Sequence, residues 1–411
     1  MEGVFLIETE IWVVYANCMM VRKCKSNNVL STSFQWAIMS LFIVAILSCE
    51  SNTKHRIPIT YSAEKIKISI DSVTARSSGG MQQIWHHEGK EYYVHGDKAK
   101  SVLLFFDLES GKLDYKIPME RQGPNGIPSF NGFFVKSLDS VYVYHGYSYI
   151  MWHIDRSGEV KRRYQWSMDN SIDGILLNPF GEDAIFKENL VYLPASPNLG
   201  MSEFWQGYVS QSIDLETGEV NFTTKYSPIF EKGNYVYAHS NVSRALTPDG
   251  KLVYSFGPED YLYVTDLATG KVLDKKLAKS EHISINMAGD YLEPFDDERF
   301  NEDAATLGYY KKVLYDKYRN YYYRIVKLES HDFYDSQSSN SPYRVMIKKY
   351  SVIVLNEDLN VLGEVVLDDL GLTDNWFITS KGLCSPVSDY SPEAIENEIL
   401  FYCYSFSISY E

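Results

Sequence analysis

A short phrase running from Asp to Gly between apolar stretches occurs four times: DLESGK at 107–112, DRSGE at 155–159, DLETGE at 214–219 and DLATGK at 266–271. A tight hairpin asks for these residues. Gly takes the left-handed position without strain at Cβ, and the Asp carboxylate accepts turn N–H groups. The flanking strands are legible in VLLFFDLESGKLDYKI and LYVTDLATGKVLDKKL. A degenerate fifth copy, SVIVLNEDLNVLGEVVL at 351–367, puts Asn356 at the Asp place and Asn360 at the Gly place.

Upstream of each hairpin stands another apolar strand: KEYYVHG (90–96), SVYVYHG (140–146), NLVYLPA (189–195), KLVYSFG (251–257) and NYYYRIV (320–326). A further candidate strand precedes each of these, so the unit is four strands. The positions 107, 155, 214, 266 and 356 lie 48, 59, 52 and 90 residues apart. About 50 residues is the size of a propeller blade. The interval of 90 reads as one blade with insertions at 278–305 and 329–344; a seventh blade hidden there would lack the hairpin phrase.

The chain ends complement each other. KIKISIDSV (65–73) is a strand with no hairpin, while WFITSKGLCS (376–385) and ILFYCYSFSI (399–408) lack a closing one. A ring of sheets must close or leave an exposed edge. The expected fold is therefore all-β: a six-bladed β-propeller over 63–411, closed by pairing of the N-terminal strand with the last blade. A long β-sandwich gives no reason for the period. The 33 Tyr and 15% aromatic content agree with a chain dominated by strands.

The first fifty residues read as targeting. RKCK (22–25) supplies positive charge, and AIMSLFIVAILS (37–48) is an apolar run too short to span a bilayer. It ends in Ile-Leu-Ser before Cys49, which resembles the lipobox of bacterial lipoproteins. Residues 1–48 are thus expected to be a leader, with 1–18 an over-called start, and Cys49 to carry the acyl chains. Residues 49–62 are expected to be a polar linker. Of the remaining cysteines, Cys384 and Cys403 lie in strand-like runs; a disulfide is open to them in an oxidising envelope, and buried free thiols are the reading taken.

RQGPNGI (121–127), KLVYSFGPEDYLYVTDL (251–267) and DYLEPFDDERF (290–300), taken with the lipobox, resemble the lipid-anchored six-bladed β-propeller proteins of unknown function from Bacteroidetes. The resemblance covers essentially all of 49–411. It implies a propeller in the cell envelope, lipid-anchored and in the outer membrane, and it transfers no catalytic residue.

Function is less legible. A net charge of −15 argues against nucleic acid or an anionic membrane face as partner. The expected membrane contact is the lipid alone, and the expected state a monomer. Connections of one kind are long, at 118–130, 167–183, 195–207, 227–239, 278–305 and 329–344, and crowd one face of the ring. A rigid scaffold with long loops on one face places its binding residues there. Candidate ligand contacts on that face are Arg121, Gln122 and Asn125 around Gly-Pro-Asn-Gly, with Trp205, Tyr235, His239 and Arg244. Aromatic faces with amides and guanidinium groups suit a small molecule, a saccharide or an envelope protein.

No cofactor and no metal site is expected. The acidic run Glu293, Asp296, Asp297, Glu298, Glu302 and Asp303 reads as a solvated insertion, and DNSIDG (169–174) fails as a calcium loop because its twelfth position is Phe180. His86, His87, His95 and His145 share no ligand spacing. With no GxSxG elbow and no phosphate-binding glycine loop, no catalytic residue is assigned. The expectation is a non-catalytic envelope lipoprotein that binds a ligand or partner protein through the long-loop face. The alternative is a hydrolase or lyase acting on a saccharide or peptide at the channel mouth.

Overall fold

In the computed structural model each Asp of the repeated phrase folds its own carboxylate back onto the turn. Asp107 Oδ1 accepts the N–H groups of Glu109 and Ser110, both at 2.9 Å, and the Gly111 N–H donates to the Asp107 carbonyl at 2.8 Å. Asp155, Asp214 and Asp266 do the same for Gly158, Gly218 and Gly270, and all four glycines have positive φ, between 67° and 85°. In the fifth copy Asn356 replaces the Asp and accepts from Asp358 and Asn360. The left-handed residue there is Leu359 (φ 62°), not Asn360 as the alignment suggested. Its side chain is 5% exposed, so burial of a leucyl group offsets the strain that Gly avoids elsewhere.

The structure describes residues 58–76, 81–166, 176–177, 184–197, 204–232, 240–284, 306–329, 348–368, 372–388, 391 and 393–409. These form six antiparallel sheets. Sheet one holds Gln82–His87, Lys90–Asp97, Val102–Asp107 and Lys112–Pro118; sheet two spans Gly132–Ser137 to Val160–Gln165. Sheet three spans Ile185–Lys187 to Val220–Phe222 with the added bridge strand Leu176–Leu177; sheet four spans Val242–Leu246 to Val272–Leu277. Sheet five spans Tyr309–Asp316 to Val361–Val366.

Sheet six is composite. Phe377–Thr379, Gly382–Pro386 and Glu398–Ile408 come from the end of the chain, and its outermost strand is Ile59–Ser69, in register from Ile59↔Ile408 to Ser69↔Glu398. The strand begins at Ile59, so the last four residues assigned to the linker belong to the sheet.

Six apolar clusters join the sheets in turn. Trp85 and Phe105 meet Phe133 and Trp152; Phe134 and Tyr142 meet Val191 and Ile213; Tyr192 and Phe230 meet Tyr254 and Phe256. Val253 meets Tyr310 and Val313, Tyr323 and Val352 meet Leu383 and Tyr404, and Ile68 and Phe401 meet Tyr93 and Phe106. The last cluster brings sheet six back to sheet one, and the molecule is a six-bladed β-propeller. Third strands such as Val102–Asp107 and Tyr350–Leu355 are buried along their whole length, which is why they read as unbroken apolar runs instead of alternating ones.

The repeated turns also lock neighbouring blades. A Cβ on Gly111 would lie 2.4 Å from the Lys67 carbonyl oxygen, one on Gly158 1.8 Å from that of Pro118, and one on Gly270 2.5 Å from that of Thr223. Each contact is to the outer edge of the preceding blade. The glycine therefore serves twice, as a left-handed residue and as a flat surface for another backbone. Between blades four and five, Arg324 is fully buried over the Tyr310 ring at 3.4 Å and donates to Ser255 Oγ and the Asp260 and Ala278 carbonyls.

Cys384 and Cys403 sit directly opposite in register and form a disulfide, which corrects the free-thiol reading. The strand register that brings them face to face is a long-range property, invisible in the spacing of the two residues.

Candidate ligand-binding channel

In five of the blades the first strand lies next to the first strand of a neighbour. Val242–Leu246 touches Tyr309–Asp316, which touches Phe377–Thr379; Gln82–His87 touches both Phe377–Thr379 and Gly132–Ser137. First strands therefore surround the axis, and between them runs a channel of about 420 Å³. Its wall is built from five blades: Gln82, Ile84 and His86 from the first, Ile185 and Phe186 from the third, Arg244 and Leu246 from the fourth. Lys312, Leu314, Tyr315 and Lys317 come from the fifth, and Trp376, Phe377 and Ile378 from the sixth. The volume is that of a small-molecule site, and the mixture of aromatic rings with a few polar groups is what such sites use.

Arg244 is 6% exposed; its Nη1 donates to Ser210 Oγ at 3.0 Å and its Nη2 to the Tyr192 carbonyl at 2.9 Å. Lys312 is 5% exposed and stands beside a register shift between Tyr310 and Lys312. A bulge of this kind re-aims a side chain on an inner strand. Trp376 is 1% exposed and packs on Tyr350 and Tyr404, and its indole N–H finds no acceptor among the described residues.

The end of the channel beside the short first-to-second-strand turns carries a polar cluster from three blades. His86 Nε2 lies 3.1 Å from Glu91 Oε1, 2.7 Å from the Tyr318 hydroxyl and 3.2 Å from Lys317 Nζ. Glu91 also accepts the Ser380 backbone N–H at 3.0 Å and the Ser380 and Tyr318 hydroxyls. Partial burial pushes the Glu91 carboxyl up, but the hydrogen bonds from His86, Ser380 and Tyr318 outweigh it and hold the pKa at about 2. The Tyr318 hydroxyl is pushed up by burial and by its bond to Glu91. Blades one and five are not neighbours; the three-residue strand Phe377–Thr379 between them lets their side chains meet across it.

Of the residues picked from sequence, Arg244 reaches this channel. Arg121 does not. Its Nε donates to Ser101 Oγ at 2.7 Å and its Nη2 to the Lys98 and Ala99 carbonyls, so it staples the turn between the second and third strands of blade one. Gln122 is exposed and Asn125 half-buried in the same segment, where Gly126 N–H closes a turn on the Gly123 carbonyl at 3.0 Å. Trp205 packs into the cluster between blades three and four, with Phe230 and Phe256. Tyr235 and His239, and the acidic run 293–303, lie outside the described residues, as does Cys49. Sequence reading missed Lys312, Phe186, Trp376 and Phe377; the available signal was their place on the first strand of a unit, or just before it.

Three comparisons bear on the chain. Residues 56–365 match a family described as a domain of unknown function, DUF4221. The fold superimposes on the crystal structure of a member of that family from Bacteroides vulgatus, with a TM-score of 0.73 and 24% identity, covering 86% of this chain and 100% of that one. A protein from Bacteroides fragilis, provisionally named as exported, aligns with a TM-score of 0.50 and 10% identity over 85% of this chain and 96% of its own. No curated protein matches the sequence.

Proposed function

The chain belongs to the DUF4221 family, whose domain has no assigned function, and from that premise we propose that it is a non-catalytic, ligand-binding propeller of the cell envelope. In this reading the ligand sits in the central channel, reached from the long-loop face, and a lipid on Cys49 tethers the domain. The observation that carries it is the channel itself: a cavity of about 420 Å³ whose wall is supplied by the rigid inner strands of five blades. The tether is supported by the lipobox-like ending at Cys49, and an envelope address is in keeping with the exported name given to the Bacteroides fragilis protein of similar fold.

Two measurements test this. Thermal-shift screening of the full chain against small metabolites is run beside Leu246→Trp, which fills the channel from a residue 39% exposed. Hits that stabilise the wild type and are lost in the filled variant support the channel; hits that persist overturn it. Metabolic labelling with a fatty-acid analogue marks the wild type and leaves Cys49→Ala unlabelled, and label in both would remove the tether.

A second reading, a hydrolase or lyase on a saccharide or peptide, rests on the His86, Glu91, Tyr318 and Lys317 cluster at the channel end. Turnover of chromogenic glycosides or peptides that vanishes in His86→Ala would favour it over binding alone.

A further inference from the structure

We propose a second binding site, a groove over the seam where the two ends of the chain meet, which takes a neutral oligosaccharide. It adjoins the channel and requires no ligand there. Residues 70–76 lead from the outer strand of sheet six towards the first strand of sheet one, and 387–397 join the second and third strands of sheet six. Both are connections of the long-loop kind, so the seam opens on that face. Between them lies a cavity of about 130 Å³, lined by the polar side chains of Arg76, Gln82, Thr373 and Asn375 and the apolar ones of Val387, Ile395 and Ile399. A cavity of roughly 150 Å³ holds one benzene ring, so this one has room for about one six-membered ring.

The cavity has neighbours on both sides. Gln82 and Tyr93 also line the channel, while Arg76 and Ala394 also line an open groove of about 430 Å³ bounded by Ser72, Thr74, Glu396 and Asn397. Spaces joined through shared walls suit a ligand made of ring-sized units in a row.

The chemistry of the walls selects the class. Arg76 is the one cation lining the cavity or the groove among the described residues, and Glu396 and Glu398 stand in the same walls, so neither an anion nor a cation is favoured over a neutral molecule. The backbone is already engaged: the Ile70 N–H donates to the Asn397 carbonyl at 2.9 Å, the Ala394 N–H to the Ser391 carbonyl at 2.9 Å, and Arg76 Nη1 to the Ile395 carbonyl at 3.0 Å. An extended peptide therefore meets no strand edge to join. Side-chain amides and hydroxyls are what the site presents. Gln82 is held in place, its Nε2 donating to the Asn375 carbonyl at 3.3 Å and its Oε1 accepting from the Tyr93 hydroxyl at 3.0 Å. The half-buried Asn375 side chain bonds to no other described residue, and its amide offers a donor beside an acceptor, the pair that neighbouring hydroxyls of a sugar ring require. Ile395, 42% exposed, gives the C–H face of such a ring an apolar bed.

The test titrates the full chain calorimetrically with the neutral trisaccharides maltotriose, cellotriose and mannotriose, the anionic trigalacturonate, the cationic trimer of glucosamine, and trialanine. At least one neutral sugar is expected to bind, with the charged trimers roughly tenfold weaker. Asn375→Ala is expected to weaken that sugar about fivefold, as loss of one hydrogen bond does, and Ala394→Trp, which fills the junction of cavity and groove, to abolish it. Asn375→Ala keeps its backbone carbonyl and so stays informative if the larger substitution fails to fold. Unchanged affinity in Asn375→Ala, no binding of any neutral trimer, or tighter binding of a charged trimer or of trialanine overturns the assignment. Leu246→Trp separates this site from the channel: a sugar lost there and retained in Ala394→Trp lies in the channel, which overturns the seam and leaves the channel standing.

Discussion

Replacing Gly158 by Ala separates the two tasks given to the turn glycines. Gly158 has φ +85°, and a Cβ there would come 1.8 Å from the Pro118 carbonyl oxygen. Gly218 has nearly the same conformation, φ +79°, in the same phrase, but its Cβ would meet only the Tyr164 ring at 3.5 Å. Gly250, φ +81°, has open space. The left-handed backbone alone costs an L-residue about 1–2 kcal/mol, so Gly218→Ala and Gly250→Ala should each lose roughly that. Gly158→Ala must also open a backbone-to-backbone contact by more than 1 Å, because Cβ atoms do not come within 3.0 Å of their neighbours. Overpacking of this kind adds about 1–3 kcal/mol, for a total of roughly 2–5 kcal/mol. At about 2 cal/mol/K per residue over the roughly 350 residues from 63 to 411, 1 kcal/mol moves the melting midpoint by about 1.5 °C. Circular dichroism melts should thus place Gly218→Ala and Gly250→Ala about 2–3 °C below wild type and Gly158→Ala about 3–7 °C below. Three equal losses would refute the idea that the turn is a contact surface for the preceding blade.

Three further outcomes follow from the same structure. Leu359→Gly relieves a left-handed leucine but empties a buried position, and a loss of about 1–3 kcal/mol is expected in urea unfolding, since burial of Leu is worth more than the strain; a gain would show that strain dominates. A chain starting at Arg56, assayed for thiols in concentrated guanidinium without reductant, should give none, and two reactive thiols would remove the Cys384–Cys403 bond. Lys327, buried and faced by Lys348, Lys311, Asp374 and Glu329, has its pKa pushed down to about 8 from an ordinary 10.5 by burial first and by Lys348 next. The folded state then binds fewer protons than the unfolded one between those values, so stability rises as pH climbs from about 8 towards 10.5. Lys327→Met should flatten that rise in urea midpoints, and an unchanged slope would assign it to other groups.

The period of the ring was legible because a hairpin is decided locally: Asp and Gly are needed wherever the chain reverses this way, whatever the rest of the molecule does. Where a distant contact decided instead, the letters misled. Leu359 takes the glycine place because a pocket between blades four and five receives its side chain, and no local rule selects leucine there. Arg121, picked as a ligand contact beside Gly-Pro-Asn-Gly, donates to Ser101 Oγ and the Lys98 and Ala99 carbonyls and lies away from the channel wall. The channel wall was the least legible part. Its residues come from first strands that carry no shared phrase, and Lys312 or Phe377 becomes significant only when five separate stretches are brought around one axis.

The composite sixth blade sets a schedule for maturation. Ile59–Ser69 leaves the ribosome early, yet its hydrogen-bonding partner, Glu398–Ile408, is made last. For nearly the whole of synthesis this ribbon is an orphan, free to join a second nascent copy. Its exposed Glu64, Lys65 and Lys67 are the kind of charges that discourage such mispairing. A chain cut short before residue 398 would never redeem that strand, so abortive products should clump while finished ones remain dispersed.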